Sequence, residues 1–382
     1  MDTYCPAPWR SLEITAEGSS PCCFFYPIAT TKKFDKISQA QNSVEFQKLR
    51  EQMLQGEYIK NCEQCYEMEK HGQFSKRQHL LQMYGRVTDV KLNSLFATPD
   101  NLCNLKCRGC TSGAAHLWYN DEIKLFGKSY SPQKYMALDT SFDQYVDLEH
   151  VELGGGGEPF YSKKTDDLIF QLRQHDVIKN IDLVITTNAT STPKQEVIES
   201  LMLAKKLSIN VSIDGIGSLN DYFRSGSHFK DVEQNLNFYY SFFDQRKDFY
   251  LHVITTVSVY NVNELKQIEN FLSQFPKIKW VLKLLEYPTF IAVRNLPKDY
   301  KNKLHFLMKN WGAQYSQILD ALVTDGEDQF QHFINYHEGL DAIRNEICPN
   351  NMLNQFIENY KSVNVKTNSK AFFLEHIDLL NK

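Results

Sequence analysis

The chain has 382 residues, 42% of them apolar and 23% charged, the composition of a globular protein with room for two or three domains and at least one large core. A formal charge of −4 gives no broad basic field, so binding to nucleic acid through phosphate neutralisation is not expected. No run approaches roughly 18 consecutive apolar residues, and the start MDTYCPAPWRSLEI has no basic segment followed by an apolar one, so neither a membrane span nor a secretory signal is expected.

In chain order, the first 85 residues read as largely irregular, with turns from Cys5 to Pro27. A helix is expected from about Ser43 to Gln55, where Val44, Phe46, Leu49, Met53 and Leu54 recur at roughly helical spacing, and a second from Cys65 to Tyr84. From about residue 90, short apolar runs alternate with helical patterns. Strands are expected at 92–97, 150–153, 181–187, 207–213, 252–259 and 280–285, and helices near 163–175, 194–206, 229–245 and 262–274. Such alternation implies right-handed βαβ units and a mainly parallel sheet. Six units are too few for a closed eight-fold barrel. The expected fold is α/β: a partial (β/α)6 TIM-like barrel over 88–290, an irregular N-terminal metal-binding module over 1–87, and a helical, aromatic-rich extension over 291–382. Pro288 and Pro297 mark the last boundary, and no chemistry is assigned beyond it.

Parallel α/β folds place their chemistry at the carboxyl ends of strands. There this sequence sets a cysteine run, Gly154–Gly157, Thr186-Thr187-Asn188, Ser212–Asp214 and Tyr287-Pro288. Ser212 and Asp214 alternate with Val211 and Ile213, so both can face one side.

The nine cysteines are distributed unevenly: eight precede residue 111 and one, Cys348, follows. Buried cysteines acting as small hydrophobes would be scattered. In the reducing cytoplasm expected of a chain without a secretory signal, such clustering points to metal. Cys103, Cys107 and Cys110, spaced Cys-x3-Cys-x2-Cys, can face one centre from a single loop. A structural zinc wants four protein ligands. Three thiolates on a 4Fe–4S cluster leave one iron open to another ligand. A zinc knuckle, or three unrelated buried thiols, is the plainer alternative. Cys5, Cys22, Cys23, Cys62 and Cys65 supply a second set, able to close around zinc or an auxiliary 4Fe–4S cluster. Cys22 and Cys23 are not separable here, although adjacent side chains rarely both reach one metal. Cys348 reads as an ordinary buried cysteine, and His71, His79 and His116 as surface or packing residues.

The motif CNLKCRGC, the strand before it and GGGGEP one strand later resemble the radical S-adenosylmethionine (SAM) superfamily over roughly residues 88–290. The resemblance implies an open iron chelated by the amino and carboxylate groups of SAM, and reductive cleavage to a 5′-deoxyadenosyl radical that takes a hydrogen from substrate. Many members carry an aromatic residue where this chain has Gly109, a departure that bears on packing over the cluster. The Gly-rich turn is not a phosphate-binding loop, since no Gly-Lys-Ser/Thr follows. By resemblance, Gly156, Gly157 and Glu158 contact the methionine amino group of SAM, Ser212 and Asp214 its ribose, and Arg224 its carboxylate. Asn188 stands where relatives often show Thr-Asn-Gly, although Ala189 replaces the glycine.

The N-terminal cysteines resemble the auxiliary modules called twitch or SPASM, here before the barrel rather than after it. Four evident ligands favour one auxiliary cluster. The function implied is a radical SAM enzyme acting on a peptide, protein or small molecule, with a reductant such as flavodoxin or ferredoxin. A ribosomally made peptide is the first candidate, while the lack of a winged-helix-like leader-binding segment points instead to a small molecule or protein. The alternatives are a non-catalytic iron–sulfur or zinc protein on the same fold, and a SAM-dependent methyl or methylthio transfer enzyme. The last needs further acceptor cysteines, for which Cys348 is the one candidate.

Overall fold

The computed structural model describes residues 2–15, 18–25, 29, 37–70, 72, 74–129 and 147–363. Eight strands form one open sheet in the order β2-β1-β3-β4-β5-β6-β7-β8. They are β1 (Ser11–Ile14), β2 (Ser19–Ser20), β3 (Ser94–Ala97), β4 (His150–Leu153), β5 (Asp182–Thr187), β6 (Lys206–Ser212), β7 (Phe249–Val257) and β8 (Lys279–Leu284). All pairings are parallel except β1 with β2. Strands β3 to β8 are the six expected ones, and the fold is the unclosed TIM-like α/β sheet that the alternation implies.

The N-terminal module differs from its expected irregular form. Strand β1 pairs in parallel with β3, from Ser11 opposite Ser94 to Ile14 opposite Ala97, so the module extends the barrel's own sheet. Four residues and two residues are too short for alternation to show in a sequence. The helix expected over 65–84 is two helices, Glu63–Lys70 and Lys76–Tyr84. Gly72 adopts φ +72 between them, and Ser75 opens the second with a reciprocal capping box to Gln78. His71 lies outside the described residues.

Along the strands, one side is fully buried: Leu183 and Ile185, Leu207, Ile209 and Val211, Leu251 and Val253. They share one core with Leu168, Leu172, Val197, Val232 and Ile268 from the helices between strands. The opposite side is polar and half-buried. Asn210 donates to Thr186 Oγ1 at 3.2 Å and pairs with His252 Nδ1 at 3.0 Å. A second, smaller core of Tyr4, Trp9, Leu49, Met53, Ile59 and Leu80 holds the N-terminal module together. The helices Lys298–Met308, Ser316–Val323, Phe330–Arg344 and Asn351–Val363 form the expected helical extension, in which Tyr300 stacks on Phe356 at 4.0 Å. Among the described residues no helix is long and apolar enough to cross a membrane.

Glu13 and Glu152 lie at one level of the sheet, on either side of Phe96. Burial, reinforced by Glu152, pushes the Glu13 carboxyl up to about 7. The folded chain therefore keeps a proton that the unfolded chain has lost, and stability falls as pH rises from about 4.5 through 7. Glu13→Gln is expected to raise stability at pH 8 by about 1–3 kcal/mol and to change it little at pH 5, as read by thermal melts. Equal effects at both pH values would refute this account.

Candidate functional site

The loop after β3 carries Cys103, Cys107 and Cys110, and all three line one cavity of about 210 Å³. Gly156, Gly157, Glu158, Asn188, Ser212, Asp214 and Arg224 line the same cavity, so the structure gathers every contact residue selected from the sequence. They arrive from the ends of four successive strands.

Backbone and side-chain donors surround the thiols. Leu105 N–H donates to Cys103 Sγ at 3.4 Å, and the Asn188 amide reaches the same sulfur at 3.9 Å. Arg224 Nη1 lies 4.0 Å from Cys107 Sγ. Burial pushes the Cys103 thiol up to about 12. A hydrogen bond from Cys110 to Cys107 lowers the Cys107 thiol and raises that of Cys110. The loop is anchored by Cys110 N–H to Cys107 O at 3.0 Å, Trp118 Nε1 to Cys107 O at 2.9 Å and Cys103 N–H to His116 Nδ1 at 3.2 Å. His116 is thus an orienting residue for the loop, a role its position in the sequence does not reveal.

The Gly-rich turn packs too closely for side chains. Gly157 has φ +64, and a Cβ there would lie 2.6 Å from Asp100 O. Gly157 N–H donates to Ala114 O and Glu158 N–H to Leu102 O, both at 2.7 Å, which ties the turn to the cysteine loop. Glu158 behaves differently from the glycines. Its buried carboxylate accepts from Thr187 Oγ1 and Asn188 N–H, each at 2.6 Å, and from Phe160 N–H at 3.2 Å. Burial nevertheless holds its pKa above the usual carboxylate range. Its side chain fixes the end of β5, and its lining of the cavity is secondary to that.

Beyond β5, Asn188 donates to Asn104 Oδ1 at 2.9 Å and accepts from Thr190 N–H at 2.9 Å. Ala189 takes φ +54, the left-handed conformation that favours glycine, and its N–H donates to Thr187 Oγ1 at 3.0 Å. Beyond β6, Asp214 and Arg224 form a buried ion pair at 2.7 Å. Asp214 also accepts from Thr256 N–H at 2.7 Å, while Arg224 Nε is buried without a hydrogen-bond partner. Thr256, at the end of β7, lines the cavity and was not selected from the sequence, although its strand-end position was the available signal. At Gly109 a Cβ would lie 3.0 Å from Leu285 Cδ1 and 3.5 Å from Phe223 Cζ. Those two buried side chains supply apolar packing beside the thiols where other chains use an aromatic residue at that position.

Cys5, Cys22, Cys62 and Cys65 line a second, small cavity of about 20 Å³ in the N-terminal module. Cys23 is exposed and is not part of its lining, so the structure separates the two adjacent cysteines. Burial pushes the Cys5 and Cys62 thiols up to about 12. Backbone N–H groups of Lys76 and Arg77, at the start of the helix Lys76–Tyr84, point at Cys65 and oppose its upward shift by burial. Among the described residues no three His, Cys, Asp or Glu side chains converge on a point that could hold a single metal ion.

An open cleft of about 860 Å³ runs between the two thiol sets. Phe24, Lys60, Glu63 and Gln64 form its N-terminal wall, and Tyr287 and Pro288 stand on the barrel side. It shares Gly109, Cys110, Ala114 and Gly155 with the first cavity.

Residues 99–272 match the family model described as Radical SAM superfamily. No curated protein matches the chain. Among solved structures the chain is similar to anSMEcpe with bound AdoMet and the Cp18Cys peptide, at 18% identity and a TM-score of 0.36, over 61% of this chain and 62% of that one. It is also similar to Streptococcus suis SuiB bound to S-adenosylmethionine, at 14% identity and a TM-score of 0.35, over 68% of this chain and 51% of that one. The chain thus spans about three fifths of the first protein's length and half of the second's.

Proposed function

We propose that this chain, which carries a radical SAM domain over residues 99–272, is a radical SAM enzyme. In this reading Cys103, Cys107 and Cys110 hold a 4Fe–4S cluster, and SAM binds in the cavity beside them. One observation carries the reading: three thiols, a glycine wall and a buried guanidinium, from distant parts of the chain, line a single cavity. The donor set fits the group. Three thiolates leave a cluster one open iron, the Gly-rich wall leaves no room for a Cβ at 155 or 157, and Arg224 keeps an unpartnered Nε. Bound there, cluster and SAM would supply a 5′-deoxyadenosyl radical for hydrogen abstraction.

The chain's own residues do the rest. Leu105 N–H, the Asn188 amide and Arg224 favour thiolate at Cys103 and Cys107. The glycine backbone can offer carbonyls to an amino group, and Arg224 a cation to a carboxylate. Asp214 holds Arg224 in place and has lone pairs left for a hydroxyl, with Ser212 beside it. Phe223 and Leu285 give the cavity an apolar side beside the thiols.

Cys5, Cys22, Cys62 and Cys65 are read as the ligands of one auxiliary 4Fe–4S cluster, in a module of the twitch type. Four thiols lining one small cavity suit an auxiliary cluster or a zinc ion, and the iron content decides between them. Cys62→Ala with Cys65→Ala is expected to remove about four irons per chain and to spare SAM cleavage. Unchanged iron would show that the module holds no cluster.

The cleft between the thiol sets is the proposed place for substrate. Its volume of about 860 Å³ lies within the roughly 300–1,000 Å³ usual for small-molecule sites, so size alone suits a small molecule as well as a segment of peptide or protein. Electrons would come from a reductant such as flavodoxin or ferredoxin. The methyl-transfer alternative gains nothing, since Cys348 is buried and lines neither thiol cavity. The deciding experiment is anaerobic reconstitution, with iron and zinc counted and 5′-deoxyadenosine assayed after dithionite and SAM are added. Cleavage with about eight irons supports the full reading, and cleavage with about four returns the N-terminal thiols to zinc or to no metal. A fully loaded cluster that leaves SAM intact, with and without candidate peptides, favours the non-catalytic alternative.

A further inference from the structure

Residues 106–108, inside the cysteine loop, run beside residues 223–225. Lys106 N–H donates to Ser225 O at 2.9 Å, and Arg108 N–H to Phe223 O at 2.8 Å. Cys107, Phe223 and Arg224 reach the cofactor cavity, whereas Arg108 does not line it.

Arg108 instead enters the C-terminal helical region and is fully buried there. Its Nη2 lies 2.6 Å from Asp341 Oδ1 and 2.6 Å from Glu346 Oε2, and its guanidinium stacks 3.7 Å from the centre of the Tyr222 ring. The same carboxylates hold the partner segment: Tyr222 OH donates to Asp341 Oδ1 at 2.7 Å, and Ser225 Oγ to Glu346 Oε1 at 2.5 Å. Asp341 is on the helix Phe330–Arg344. Asn345, at φ +52, ends that helix in the left-handed conformation and turns the chain so that Glu346 folds back.

The helix also grips the loop's backbone. Tyr336 OH donates to Arg108 O at 2.6 Å, Arg344 Nη1 to Lys106 O at 2.8 Å, and Arg344 Nε to Asp121 Oδ2 at 2.9 Å. Carbonyls on both sides of Cys107 are therefore held by one helix that contributes nothing to the cavity lining. A buried guanidinium is tolerable only with such partners, since an unpaired buried charge is far costlier than an exposed one.

We infer that Arg108 is a positioning residue, and that the helix Phe330–Arg344 with Glu346 is a clamp that fixes Cys107 and Arg224 for the cofactor, making cofactor geometry depend on the docked C-terminal region. This inference rests on the cofactor reading of the cavity.

The test is the double variant Asp341→Asn, Glu346→Gln, which keeps shape and removes both charges. In iron-free protein, Cys107 should react faster with a thiol reagent, located by mass spectrometry. After reconstitution, the change that SAM causes in the electron paramagnetic resonance spectrum of the reduced cluster should be altered, and the Kd for SAM should rise about tenfold. Far-ultraviolet circular dichroism should match the parent. If this variant does not fold, Arg108→Met with Asp341→Leu and Glu346→Leu is the second test. It removes the charges together with the bonds that Arg108, Tyr222 and Ser225 make to the clamp, so Cys107 should again react faster and the Kd for SAM should rise. Parent-like Cys107 reactivity, spectra and affinity in whichever of these variants folds overturn the clamp. A parent chain that loads no iron at Cys103, Cys107 and Cys110 overturns the cofactor reading itself, and the clamp's purpose with it.

Discussion

Cys107→Ala is expected to abolish 5′-deoxyadenosine formation outright. A cubane held by three thiolates loses one of its three protein anchors when one is removed, and no other cysteine lines that cavity. Cys22, Cys62 and Cys65 line a different cavity, and Cys348 is buried elsewhere. The side chain lost is small and apolar in its protonated form, so the fold should survive, with circular dichroism like the parent's. Iron should fall from about eight to about four per chain if the N-terminal thiols hold their own cluster. Undiminished 5′-deoxyadenosine from the variant would sink the ligand assignment.

Gly157→Ala should have the second-largest effect. Its φ of +64 alone strains any L-residue by about 1 kcal/mol. Its Cβ would also lie 2.6 Å from Asp100 O and 3.0 Å from Leu102 O, backbone atoms just before Cys103. Neither can yield without moving the cysteine loop, because Glu158 N–H is bonded to that same Leu102 carbonyl. SAM affinity is expected to drop at least about tenfold and the melting temperature by several degrees, measured by titration of the reconstituted protein and by thermal melts. Gly56→Ala is the matched control: its φ is +73, but a Cβ there meets nothing within 4 Å. It should cost only the backbone strain. If the two variants behave alike, close approach at the Gly-rich turn plays no part in the site.

The long central strands were legible because parallel strands buried on the helix side read as apolar runs, as in Ile181–Thr187 and Leu207–Ile213. Strands β1 and β2 carry too few residues to show a period and sit among turn residues, so only the fold reveals that β1 pairs with β3 and β2 with β1. The break at Gly72 and Ser75 could have been read, since Ser75 and Gln78 spell a capping box; the helical pattern on either side obscured it. At the site, spacing announces thiols and glycines because their chemistry demands proximity in sequence. Arg108 announces nothing, since its carboxylate partners lie 233 and 238 residues away. The two ends of the Asp214–Arg224 pair are close in sequence, yet its burial, which turns it from a surface pair into a fixture of the cavity, follows from packing alone. Glu158 shows the opposite limit. The motif selects the residue, but its oxygens are engaged by Thr187, Asn188 and Phe160.

Because β1 is hydrogen-bonded along its length to β3, the thiol-bearing N-terminal module is not a detachable unit. Cutting the chain near residue 87, or transplanting a module from another protein at that junction, would strip β3 of a neighbour. Its bare N–H and C=O groups would then form a free edge, a template for pairing with another molecule. Any exchange of modules must therefore carry a matching strand with it, or yield a protein prone to self-association.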